Sequence, residues 1–304
     1  MRAHAGVAAL RARLVYWRRG AWEVVREMAH EWSADRVGGL AAEVAFFGLL
    51  SLFPALLALA GALGSLQSIV GSEVADRAEH EVLAFMERIL TSEASGTIDA
   101  ARDLFADADA SAFTIGFIAA LWAASRAFLA VIRALDVAYD VEERRRFIRL
   151  RAEALGLAIG SLAVGAVLLA MVVLGPLLGT GHDVADAVGL GDGFAAFWDF
   201  FRWPVVFVVI VLWAATVLHL GPDHATPLRW DLPGAVLSAV GWVLASVGLR
   251  VYLDVAGETN QVLGTLGGSL IVILWLYLLG VALLVGGELN AVLAVRHGVQ
   301  RHRQ

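Results

Sequence analysis

Residues 259–287 read TNQVLGTLGGSLIVILWLYLLGVALLVGG, a run of 29 residues without Asp, Glu, Lys or Arg. A helix crosses the hydrocarbon core of a bilayer with about 20 apolar residues. This stretch is therefore read as a membrane-spanning helix, and the polar pair Glu288 and Asn290 follows directly at its end. Working outward, residues 44–72 and 154–182 form two more charge-free windows of 29 residues. Residues 203–222 give 20, 232–249 give 18 and 110–125 give 16, the last continuing in apolar pattern past Arg126 to Leu135. Six spans follow, near 42–66, 112–135, 154–179, 200–220, 233–255 and 264–293. The segments are too long for barrel strands and lack period-2 alternation. The expected fold class is all-α, a polytopic membrane protein of six transmembrane helices.

Composition agrees. Of 304 residues, 59% are hydrophobic and 17% charged, with a mean hydropathy of +0.73. Soluble domains carry about 25% charged residues, so an ordinary soluble enzyme is excluded. The net charge of −6 argues against a nucleic-acid partner. Cysteine is absent, which excludes disulfides and thiolate metal sites. All 23 basic residues are Arg.

The loops differ in charge. Residues 1–39 hold seven Arg and residues 136–153 hold five, while 67–111 carries ten acids against three Arg. The positive-inside rule places both termini and the 136–153 loop in the cytosol. No cleavable signal is expected, because the first long apolar run begins some forty residues in. The chain divides into a cytosolic N-terminal region 1–39, a membrane domain 40–295 with an external helical insert at 67–111, and a cytosolic tail 296–304. Within the first region, Leu10, Leu14, Trp17, Val24, Val25, Met28 and Trp32 recur at helical spacing between arginines. Residues 7–33 are thus an amphipathic helix, lying either in the plane of the anionic leaflet or against the cytosolic mouth of the bundle. In the insert, Val74, Ala78, Val82, Leu83, Met86 and Leu90 recur every three to four residues. That spacing predicts one or two external helices, separated at Ser95-Gly96.

Ionisable groups inside spans are costly and each needs a reason. Glu43 sits at the cytosolic end of span 1. Arg126 lies about 13 Å above the cytosolic end of span 2, from a rise of about 1.5 Å per residue. Glu288 lies near the cytosolic end of span 6, followed by Asn290. One reading pairs Arg126 with Glu288 or Glu43 as a structural ion pair joining spans 1, 2 and 6. The other opens a polar cavity to the cytosol, in which Arg126 holds an anionic headgroup or a carboxylate carries a proton. Substrate-binding candidates are Arg126, Glu43, Glu288, Asn290 and Ser51. Pro54 has no N–H, so the Leu50 carbonyl loses its helical partner and span 1 kinks there; Ser51 is placed to satisfy freed backbone groups. Arg250 and Asp254, near the outer end of span 5, form either a local i,i+4 pair or an outer gate. Arg133 and Asp136 fall at the interface with no special role expected. Small residues at four-residue spacing, such as Gly156/Gly160 and Gly264/Gly268, let helices approach closely. There is no H-E-x-x-H, P-loop or G-x-S-x-G motif. His219, Asp223 and His224 lie close in sequence without a ligand spacing, so no metal and no cofactor are expected.

Four stretches together carry a family likeness. They are 45–54 (AFFGLLSLFP); 121–126 (LWAASR) running through 133–140 (RALDVAYD) to Arg144–Arg146; 232–235 (LPGA) with 250–252 (RVY); and 266–268 (LGG), 274–277 (LWLY) and 287–291 (GELNA). In order and spacing they resemble the YihY/BrkB family of bacterial inner-membrane proteins over about residues 20–295. Asp136 stands where that family often has Asn, and Leu263-Gly264-Thr265 replaces an expected Tyr-Gly-Ser. The resemblance implies a six-pass inner-membrane protein. It brings an old ribonuclease BN label, links with virulence and serum resistance, and a link with moving lipids or envelope precursors. RNA cleavage needs a metal cluster or a nucleophile with its base, and the cytosolic loops offer neither. The expected function is a flippase-like transporter of an anionic lipid or envelope precursor, with membrane lipids as partners. The alternatives are an envelope scaffold, self-associated or bound to envelope proteins, and a membrane-embedded lipid enzyme.

Overall fold

The computed structural model describes residues 22–24, 26–32, 34–52, 110–169, 192–223, 226–256 and 264–298. Among them every regular element is helical. The elements are α1 (Val37–Leu52), α2 (Ala110–Ala138), α3 (Phe147–Leu169), α4 (Asp192–Leu220), α5 (Leu232–Ala256) and α6 (Gly264–Arg296). A 3₁₀ turn, Leu228–Trp230, leads into α5. Five helices, α2 to α6, are long and apolar enough to cross a membrane, and α1 is a shorter apolar helix over its described residues. At about 1.5 Å per residue, the 33 residues of α6 reach about 50 Å, beyond the ~30 Å apolar slab.

α2 to α6 correspond to the expected spans 2 to 6, but two begin well ahead of them. α4 starts at Asp192 rather than near 200, taking in Asp199 and Arg202. α3 begins at Phe147 rather than near 154, so Arg149, Arg151 and Glu153 belong to its first turns. Pro54, the insert 67–109 and the tail 299–304 lie outside the described residues, as does most of the 7–33 segment. Of that segment, 22–24 and 26–32 are helical. They sit against the end of α6, where Arg296 contacts Glu27 at 3.0 Å and Glu23 at 3.8 Å, and Trp32 packs on the core.

The core is built from small and branched residues that let helices meet closely. Ile132 and Leu135 of α2, Ala214 and Leu218 of α4, Leu284 of α6, and Val37 and Ala41 of α1 are all buried. The closest approach is between α5 and α6. A Cβ added at Gly286 would stand 2.5 Å from the Gly234 carbonyl oxygen and closer still to Ser238 Oγ. Only residues without a side chain permit that crossing. Trp242 Nε1 donates to the Leu279 carbonyl at 2.8 Å and Trp275 Nε1 to Ser246 Oγ at 3.1 Å, fixing the same pair further along. Outward-facing residues form an apolar belt that includes Ile118 and Trp122, Val208 and Leu212, and Leu244, Val247 and Val251. In water such a surface would be an association hazard; against acyl chains it needs no cover.

Candidate functional site

Polar chemistry concentrates at one end of the bundle, where α2, α4 and α6 finish and α3 and α5 begin. α2 closes with a left-handed residue, Asp140 (φ 51°). The Val141 N–H bonds back to the Asp136 carbonyl and the Asp140 N–H to the Val137 carbonyl, both at 2.9 Å. This is a Schellman closure, with Asp in place of the more common Gly, and it turns the chain so that residues 141–146 lie across the bundle end.

Arg145, at the close of that turn, is the hub. Its side chain is only 5% exposed. Nε donates to both oxygens of Glu143 at 2.9 and 3.0 Å, Nη1 reaches Glu153, and Nη2 donates to the Gly221 carbonyl at 2.8 Å. Nη1 also approaches the Leu220 carbonyl at 3.3 Å, and Asp136 lies 3.9 Å from Nη2. The guanidinium fork thus joins the end of α2, the first turns of α3 and the last carbonyls of α4, where a cation also complements the helix dipole. Burial works against its charge, but Glu143 and Glu153 outweigh it, so Arg145 is held above its usual value. Glu143 goes the other way. Burial alone would raise it, and hydrogen bonds and charge from Arg145 bring it below the usual carboxylate value. Asp136 Oδ1 accepts the Asp223 N–H at 2.9 Å, while its buried Oδ2 has no partner among the described residues.

A second group centres on Asp231, which is fully buried. Tyr139 donates its hydroxyl to Oδ1 at 3.2 Å, and His219 Nδ1 meets Oδ2 at 2.8 Å. Burial first, then the Asp231 charge, raises the Tyr139 phenol well above its ordinary value. Asn290 ties the group to α6. Its Oδ1 accepts the Gly234 N–H at 2.7 Å and its Nδ2 donates to the Asp231 carbonyl at 3.0 Å. One side chain thereby satisfies an N–H in the first turn of α5, which no helical carbonyl can reach. Beside both groups, between α3 and α4, lies a cleft of about 370 Å³ lined by Arg145, Arg149, Glu153, Leu157, Trp213 and His219 among others.

The candidates from sequence separate in space. Glu288 and Asn290 are buried at the polar end, 2% and 1% exposed. Glu43 is exposed on α1. Arg126 is exposed halfway along α2, its guanidinium carbon 5.1 Å from the centre of the Trp122 ring. The structure does not bring Arg126 to Glu43 or Glu288. At 3.6 residues per turn, Arg126 shares a helix face with Trp122, while Ile132 and Leu135 on the inner face point to α6. Ser51 donates to the Gly48 carbonyl at 2.7 Å, within its own helix. Arg250 is exposed on α5, and the Asp254 side chain lies outside the described residues. Among the described residues no group of three or more His, Asp or Glu is placed to hold a metal.

The family model described as "Virulence factor BrkB" matches residues 28–304. The chain belongs to the BrkB family. Among its relatives, the ribonuclease-like protein YfkH of Bacillus subtilis (strain 168) is 29% identical over 273 residues, covering 90% of this chain and 95% of that one. A UPF0761 membrane protein of Stenotrophomonas maltophilia (strain R551-3) is 34% identical over 143 residues, 45% of this chain and 29% of its own length. Another, of Xanthomonas oryzae pv. oryzae (strain PXO99A), is 32% identical over 97 residues, 32% of this chain and 22% of its own. The match therefore spans less than a third of either UPF0761 protein. No solved structure matches the chain. As a BrkB-family membrane protein, it confirms the likeness carried by the four stretches quoted above.

Sequence reasoning left out the residues that organise the BrkB-family polar end. Arg145 stood among five loop arginines and in the Arg144–Arg146 stretch of the family likeness, Asp136 stood as an interfacial charge, and Tyr139 and Asp231 were given no individual role. One local signal was legible: RALDVAYD at 133–140 places two acids and a Tyr at a span end, where an unpaired carboxylate would be costly.

Proposed function

We propose that this BrkB-family protein is a multi-pass inner-membrane transporter of flippase type. It moves an anionic lipid or lipid-linked envelope precursor, with both termini in the cytosol. The observation that carries this reading is the position of Arg126, exposed midway along α2 on the outer surface of the described bundle and stacked on Trp122. A cation at mid-membrane depth costs several kcal/mol unless it meets an anion or water. A lipid phosphate or carboxylate drawn along the helix is such an anion. Guanidinium binds these groups through paired N–H donors, and the Trp face supplies a cation–π platform. The polar end, with Arg145 at its hub, marks the cytosolic side in this reading, in line with the arginine-rich loop.

The test is reconstitution into vesicles with a fluorescent anionic phospholipid. Wild type should move it between leaflets, and Arg126→Ala should slow it at least ~10-fold, the factor equivalent to about 1.4 kcal/mol. An Arg126→Ala variant as fast as wild type overturns the assignment.

A scaffold without transport is the second reading. It is favoured by one observation, the internal saturation of Arg145 by carboxylates and carbonyls, which builds a rigid end. Wild-type vesicles that move no lipid would favour it. A nuclease step is not proposed. The ribonuclease-like name belongs to the B. subtilis relative, and a net charge of −6 works against a polyanionic substrate.

A further inference from the structure

The end of α6 holds a carboxylate that the Arg145 and Asp231 groups do not use. Glu288 is 2% exposed, and its Oε1 is buried without a hydrogen-bond partner among the described residues. α1 packs along α6, with Ala41 against Gly280, and this brings another carboxyl, that of Asp35 in the turn just ahead of α1, to Glu288 as its hydrogen-bonding neighbour. Two carboxylates have lone pairs and no hydrogen between them, so a hydrogen bond joining them requires a proton on one. Two adjacent like charges, one of them buried, do not both persist.

Among the described residues the surroundings offer no substitute. From the N-terminal segment, Glu31 faces both carboxyls. From the end of α2, Asp140 faces Asp35, and the Tyr139 phenol faces Glu288. The phenol's own hydroxyl is committed to Asp231, which His219 holds from α4. From α5, the hydroxyl of Ser238 lies at the Gly286 crossing, two residues before Glu288 on α6. The nearest cation in sequence, Arg36, is exposed and has left-handed backbone (φ 53°). Burial, reinforced by Glu31 and Asp140 and opposed by the Glu288 hydrogen bond, holds Asp35 above its ordinary 3.8.

We propose that Asp35 and Glu288 form a proton-binding site, in which one shared proton fastens the segment ahead of α1 to the end of α6. Loss of that proton leaves two adjacent carboxylates, and the segment separates from the bundle. The other ties among the described residues are the packing of the half-buried Trp32 on the core and the peripheral pairs of Arg296 with Glu27 and Glu23, Glu23 being two-thirds exposed. The sign follows from proton linkage. A carboxyl whose folded value is raised binds its proton more tightly in the folded state. Its stabilisation is complete below 3.8 and is lost as pH rises through the folded value. This inference does not depend on transport.

The test uses the full-length protein in lipid nanodiscs, with two readouts. Infrared difference spectra between mildly acid and alkaline pH should show a protonated-carboxyl C=O band in wild type. That band should be lost in Glu288→Gln. In Asp35→Asn, a partly exposed turn position that spares the α6 interior, it should shift in frequency as the buried Glu288 carboxyl changes its hydrogen-bond partner. Hydrogen exchange of the chain ahead of α1 should quicken on alkalinisation in wild type beyond the intrinsic chemical change. It should stay slow in Glu288→Gln, whose neutral amide mimics the protonated form. A wild-type spectrum without the band, or a band that Glu288→Gln leaves in place or Asp35→Asn leaves unshifted, overturns the site. Exchange ahead of α1 with the same alkaline change in wild type and both variants overturns the fastening role.

Discussion

Replacing Arg145 by Ala should be the most damaging single truncation at the polar end. The guanidinium touches two carboxylates directly, Glu143 and Glu153, lies 3.9 Å from Asp136, and caps the carbonyls of Gly221 and Leu220. Glu143 and Glu153 are about a quarter exposed, so water relieves much of their loss, and each contributes at the level of a surface pair, below about 1 kcal/mol. Asp136 has a 7% exposed side chain and little such relief. The two carbonyls each lose a charged donor worth about 1.5–3 kcal/mol, less what water restores. The sum falls at about 3–5 kcal/mol, the range found when one partner of a buried ion pair is removed. Arg145→Lys keeps the charge but not the fork, and should recover about half of that loss. The assay is denaturant unfolding in micelles followed by tryptophan fluorescence. Adding Glu153→Gln to Arg145→Ala should restore part of the stability, because it removes a charge left without its partner. An Arg145→Ala loss below about 1 kcal/mol, or no recovery in the double variant, would refute the electrostatic account and leave packing as the explanation.

Other outcomes follow from the same geometry. Gly286→Ala forces a methyl against Ser238 Oγ and the Gly234 carbonyl, so it should cost about 1–3 kcal/mol or more by overpacking. Pairing it with Ser238→Ala should relieve only part, since the backbone contact remains; full rescue would show that the crossing is not backbone-limited. Asn290→Leu removes the acceptor of the Gly234 N–H and the donor to the Asp231 carbonyl. It should cost about 2–4 kcal/mol for two buried groups left unmade, and faster amide exchange at Gly234 is the direct readout. Glu143, held below its usual value of 4.5, contributes stability that is present above 4.5 and lost as pH falls through its lowered folded value. Glu143→Gln should therefore flatten the acid limb of the stability–pH curve, and an unchanged limb would show that another group governs it.

Much of the candidate site was legible only in part, and the residues show why. Glu288 and Asn290 were singled out because polar groups at the end of a long apolar run must be accounted for, and both prove to be buried. Their expected partner was Arg126, the nearest charge in membrane depth. Depth alone does not give azimuth, however, and Arg126 turns outward with Trp122 while Asp35 and Gly234 meet the α6 residues instead. Arg145 was hidden among five loop arginines because its neighbours in sequence, Arg144 and Arg146, have the same charge and composition. What distinguishes it is the set of carbonyls at the end of α4, some 75 residues away.

Sequence by itself determined the all-helical membrane class and the family, because insertion into a bilayer depends on runs of contiguous apolar residues, and such runs are local. Of the small residues singled out by spacing, Gly160 meets Trp213 while Gly156 faces open space, and the tight Gly234–Gly286 crossing was not among them. Tertiary structure decided which groups meet. The Tyr139–Asp231 bond joins residues 92 apart, and Asp136–Asp223 joins residues 87 apart. Hydrogen bonds and ion pairs act over about 3 Å, and a difference of one residue in helix register rotates a side chain by about 100°. Only the packed bundle sets those rotations, and with them which carboxylate finds an arginine and which finds another carboxyl.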